Sequence, residues 1–152
     1  MWSEHREEVK KHIDQAQLIN LIVNSSDDTA GNRIVNISIQ IPCLPAFYWE
    51  TINTGTESHS AEGHVSLLKP IIKDIVSLNT LKINVIITDI NFTMRKFHCE
   101  MAKRLSFSHV FYTLCDSHGF QLLIKDILQI LRWKEVIAAV LKVITFFKKS
   151  KL

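Results

Sequence analysis

Glycine, proline and cysteine are sparse in this 152-residue chain, with four, three and three copies. The glycines (Gly31, Gly55, Gly63, Gly119) are well separated, which excludes a Gly-rich loop that could cradle phosphates. Cys43, Cys99 and Cys115 are odd in number and irregularly spaced. That argues against a disulfide framework and for a reducing compartment. No apolar run approaches the ~20 residues that span a bilayer, so no membrane partner is expected. Met1 to Lys11 is charged in both signs and lacks the apolar stretch of a signal peptide. Excess charge of one sign is also slight, a net +3, too weak by itself to point to nucleic acid. It is uneven, however: Lys142, Lys148, Lys149 and Lys151 give the last eleven residues four positive charges and no acid. A solvated helix end favoured by the dipole explains them most simply; a phosphate contact or nuclear-import patch is the alternative.

What is present is an apolar chain, 47% hydrophobic, long enough to bury a core. Glu4 to Gln17 reads as a helix with Ser3 as N-cap and a thin apolar face (Val9, Ile13, Ala16) that should pack loosely. Leu18 to Val23 reads as a strand, and Asn24 to Thr29 as a turn. From Arg33 to Ile41 polar and apolar residues alternate, the mark of a half-buried antiparallel strand. Ala46 to Ile52 is a third strand. From Ser58 to about Leu78, Ala61, Val65, Leu68, Ile72 and Ile75 recur at helical spacing, with Pro70 expected to bend or split the helix. A buried strand then runs from Leu81 to Thr88 and stops at Asp89. A helix over Phe92 to Arg104, a strand over His109 to Leu114, and helices over Asp116–Leu131 and Trp133–Lys149 complete the chain. Asp116 is expected to cap its helix.

Antiparallel strands feeding strand–helix–strand crossovers require a mixed sheet with helices over its faces. The first strand can then lie centrally, beside the strand that ends in Asp89. The expected fold is α/β with a ribonuclease-H-like mixed sheet, followed by further helices. A carboxylate at the end of a central strand faces the crevice where open α/β sheets bind ligands and metals. Asp89 suits that role, or capping of the helix that follows it. Cys115 and His118 look like half of a zinc site, with His98, Cys99 and His109 as the other candidates, but the spacing fits no standard pattern. Packing is the alternative, with Cys115 as a small buried hydrophobe. A Cys–His nucleophile lacks an orienting third residue. His59 and His64 are five apart, on different helical faces, and read as solvated.

Four segments, in order, carry a resemblance: Gly31-Asn32-Arg33-Ile34-Val35-Asn36, the run from Thr51 to Glu62, Val85-Ile86-Ile87-Thr88-Asp89 with Met94 trailing, and the run from Cys115 to Ile127. Together they resemble the hAT superfamily of transposases over nearly the whole chain from about Leu18. After the N-terminal helix, assigned to 1–17, the resemblance implies a partial ribonuclease-H-like core over 18–115 and the start of a helical insertion region over 116–152. Family chemistry is DNA cleavage and strand transfer at Mg²⁺ or Mn²⁺ ions held by two aspartates and a distant glutamate. Asp89 matches the second aspartate. Asn24 stands at the first, and an amide brings no charge to a hard cation; Asp27 or Asp28 is the possible substitute. The glutamate, the zinc finger and the dimerisation segment of a full transposase fall outside this chain. The resemblance therefore implies a truncated copy without independent cleavage activity and without a metal cofactor, unless the family site is retained. DNA, through Lys142, Lys148, Lys149 and Lys151, or a second copy, through an uncovered C-terminal helix face, are the expected partners; a small-molecule substrate is not. The nucleus is the expected compartment, otherwise the cytoplasm. A domesticated binding module, or a nuclease completed by a partner chain, are the alternative functions.

Overall fold

The computed structural model describes residues 2–55, 60–77 and 79–149. Helix α1 (Trp2–Gln15) leads into strands β1 (Ile19–Asp27), β2 (Arg33–Gln40) and β3 (Ala46–Gly55). Then come α2 (Ala61–Val76), β4 (Ile83–Thr88), α3 (Phe92–Ala102), β5 (Phe111–Leu114), α4 (Asp116–Leu128) and α5 (Leu131–Lys149). The chain forms two compact units, residues 1–115 and 116–152.

The first unit is a five-stranded mixed sheet in the order β3-β2-β1-β4-β5. β1 pairs antiparallel with β2 and parallel with β4, and β4 pairs parallel with β5. This is the ribonuclease-H-like arrangement, with β1 central and the strand ending before Asp89 at its side. Parallel neighbours need long crossovers, and α2 and α3 supply them. Period-two alternation puts Ile19, Leu21 and Val23 on one face with Val35, Ile37 and Ile39, and a register shift between β1 and β4 brings both Ile83 and Ile86 to that face, all 1% exposed or less. α1, α2 and α3 cover that face through Val9, Ile13, Val65, Leu68, Met94 and Phe97, in one continuous cluster.

Several boundaries differ from the sequence reading. β1 does not end at Val23: it runs on to Asp27, because Asn24, Ser25, Ser26 and Asp27 are held in register by Asn36, Val35, Ile34 and Arg33 of β2. Turn-forming residues are strand here because a long partner satisfies their backbone. α1 packs tightly rather than loosely. Val9 and Ile13 are each 1% exposed, and Arg6 lies over the Trp49 ring at 4.5 Å while pairing with Asp74 at 2.5 Å. α1 begins at Trp2, so Ser3 lies within the helix rather than capping it. Pro70 does not split α2. It sits on the exposed side, while Leu68, Ile71 and Ile72 keep the helix pressed to the core. Ser60 caps α2, its hydroxyl accepting from Gly63 N at 3.0 Å; Thr56 to His59 lie outside the described residues. Asp116 is the first residue of α4 rather than its cap.

Candidate functional site at the ends of the central strands

The last rung of the parallel ladder joins Val23 of β1 to Thr88 of β4. Asn24 and Asp89 are thus the next residues on two adjacent strands. Asp89 is 8% exposed, and its Oδ2 accepts a hydrogen bond from Ser25 N at 3.1 Å. It does not cap α3. Asn91 does that, its Oδ1 accepting from Met94 N at 2.8 Å. A strand-end carboxylate is therefore fixed against the backbone of the neighbouring strand, a role separate from helix capping. Asn24 is exposed and pairs with Asn36.

Beyond these strand ends lies a cleft of about 300 Å³. Ser25, Ser26 and Asp27 form its β1 wall, Arg33 enters from β2, and His64 comes from α2. Asn91, Thr93 and Met94, at the start of α3, close it. Asp89 is not among the described lining residues. Arg33 and Asp27, paired across β1 and β2, give the lining charges of both signs, beside polar Ser and Asn and apolar Met94.

The sequence reading missed His64, which is 4% exposed rather than solvated. Its Nδ1 lies 2.9 Å from Ser60 O, an oxygen that can only accept, so Nδ1 carries the proton. The signal was present: His64 lies three residues after Ala61 and four before Leu68, on the buried stripe. His59 lies outside the described residues.

Asp28 is committed to the β1–β2 turn. Its Oδ1 accepts from Ala30 N and Asn32 N, both at 2.8 Å, and its Oδ2 from Asn32 Nδ2 at 3.0 Å. The Asn32 side-chain amide, then the Asn32 backbone N–H, hold its carboxyl below the usual carboxylate range. Gly31, at φ +81°, makes the tight return.

Behind β4, the Thr88 hydroxyl lies 2.9 Å from His98 Nε2, and the His98 ring packs against Tyr112 at 5.3 Å. Burial lowers the His98 pKa, and burial pushes the Tyr112 phenol up to about 12. Tyr112 donates to Phe107 O at 3.1 Å. Cys115 is half-buried, not fully buried, and its N–H extends the β5–β4 ladder to Thr88 O at 2.7 Å. Cys99 is exposed, and His109 Nε2 faces Thr80 O at 3.1 Å, so each zinc candidate is placed by its own element. His118 belongs to α4, in the second unit. Among the described residues no group of three His, Cys, Asp or Glu side chains could hold a metal ion. Where the β1–β4 pairing ends, the Asp89 carboxylate accepts a backbone N–H from Ser25 and the amide Asn24 is its counterpart on β1, while the Asp27 carboxylate lies in the cleft wall. Lys142 and Lys148 are exposed on α5; the Lys149 side chain and Lys151 lie outside the described residues.

Residues 2–143 match the DUF659 family, described as a domain of unknown function. This chain belongs to that family. No curated protein matches it. In this DUF659 chain the match takes in the whole sheet unit, the cleft and both strand ends, and continues through most of α5.

Proposed function

We propose that this DUF659 chain is a hAT-type transposase-derived protein whose ribonuclease-H-like core does not cleave DNA or transfer strands on its own. One observation carries the reading: where the β1–β4 pairing ends, Asp89 is a buried carboxylate held by Ser25 N, and its counterpart on β1, Asn24, is neutral. Phosphodiester cleavage by paired hard cations requires several carboxylate oxygens converging on one point. This core contributes one there. The four motif segments and the strand order support the transposase lineage, and on that lineage the expected partner is DNA and the expected compartment the nucleus.

The test is a cleavage assay on duplex and nicked DNA with Mg²⁺ or Mn²⁺. No turnover is expected from the chain or from Asp89→Ala. Robust metal-dependent cleavage that Asp89→Ala abolishes rejects the reading. A second reading, a nuclear DNA-binding module, rests on the exposed Lys142 and Lys148 of α5. It predicts binding that weakens linearly with log salt concentration, and absence of binding at low salt removes it.

A further inference from the structure

None of the described side chains in α4 or α5 is buried. Both helices nonetheless carry clean apolar stripes. In α4, Phe120, Leu123, Ile124, Ile127 and Leu128 recur at i, i+3, i+4, i+7 and i+8. In α5, Trp133, Val136, Val140, Ile144 and Phe147 fall on one side of the helix. These ten residues are 37% to 65% exposed. Lys142 and Glu135 lie on the opposite side of α5, so the stripe itself carries no charge.

We propose that the α4–α5 hairpin is a self-association surface whose occupant is the same hairpin of a second copy of this chain. Area is the first argument. At about 150 Å² per large apolar side chain, half exposed, the ten residues present roughly 750 Å². That exceeds the largest patch of most monomers and matches the ~800 Å² per partner of a standard interface. Charge is the second, and it sets the arrangement. In sequence, α4 holds Asp116 and Asp126 against Lys125, a net −1, while α5 holds five Lys and Arg against Glu135, a net +4. Two α5 helices side by side repel. α5 of one copy against α4 of the other attracts, and a two-fold axis makes that contact twice. The result is a four-helix layer closed by symmetry that covers both stripes; Leu141 and Phe146, on other sides of α5, stay outside it. No helix among the described residues is long and apolar enough to cross a membrane, so a lipid core is not the alternative cover. The inference does not depend on the transposase reading.

The test is sedimentation velocity of the full chain from about 1 to 100 µM, the range over which a micromolar complex dissociates. A reversible shift between 17.5 kDa and twice that mass is expected. Ile127→Glu and Val140→Glu, one on each stripe, should each weaken the dimer at least ~10-fold, because a charge is then buried unpaired. Lys142→Gln, on the far side of α5, should change it less than ~3-fold. Amide-exchange protection of β1 and β2 is followed in every variant, so that loss of the dimer is separated from loss of the fold. A chain that stays monomeric throughout overturns the proposal, including one that instead pellets with anionic vesicles. So do open-ended aggregates, or a dimer that both glutamate variants leave intact.

Discussion

His98 shows how a single side chain in this protein acquires a pH response from its surroundings. It lies beneath Thr88 and beside Tyr112, half-buried, and burial lowers its pKa from the ordinary value of 6.5. In the unfolded chain it takes a proton more readily than in the folded one. Its linkage term is therefore fully favourable above about pH 6.5, and stability is lost as pH falls from there towards the depressed folded value. Thermal unfolding between pH 7.5 and 5.5 should show a falling midpoint with acid, and His98→Gln should flatten that slope. A slope unchanged in the variant would assign the effect to another histidine. His64 is the contrasting case, a buried imidazole whose Nδ1 proton is already placed on Ser60 O. Its position was legible from its place on the stripe of α2. Its membership of the cleft was not, because no local pattern says which turn of a helix will meet the end of a strand.

At the scale of elements, α3 joins the site to the core. Asn91 caps it at the cleft, while Met94, Phe97 and Met101 bury its inner side. Phe97 is fully buried, and Phe97→Ala is expected to cost about 3–5 kcal/mol by removing apolar contact and leaving a cavity. Leu105, 93% exposed just beyond the helix, should change stability by less than about 0.5 kcal/mol when replaced by Ala. Denaturant unfolding of the two variants checks the contrast. The strands of this protein were legible wherever alternation was regular, as in Arg33 to Gln40. They were misread where composition opposed context. Asn24 to Asp27 has the makeup of a turn, yet β2 pairs with all four residues. α1 was misjudged for a related reason: two apolar residues suffice when Arg6 and Lys10 also reach Asp74 and Arg6 stacks on Trp49. Those contacts lie more than 40 residues away in sequence, beyond any local window.

Across the whole molecule, the two units differ in how much they bury. The sheet unit encloses one cluster running from Val9 to Val110; the described residues of α4 and α5 enclose nothing. Amides of β1, β2 and β4 should accordingly exchange at rates near those of global unfolding. Those of α4 and α5, at concentrations where the chain is monomeric, should exchange orders of magnitude faster. Equal protection in both units would contradict this division. The sequence by itself determined the mixed sheet, the strand that stops at Asp89, the neutral Asn24 and the apolar stripe of the last helix, because hydrophobic period and side-chain charge are local properties. Only the tertiary structure decided that Asp89 is tied to Ser25, that Asn91 rather than Asp89 caps α3, that Asp28 is spent on a turn, and that His64 and Arg33 share a cleft. Each of those facts depends on the register between segments distant in the chain, and register is set by the packing of the whole sheet.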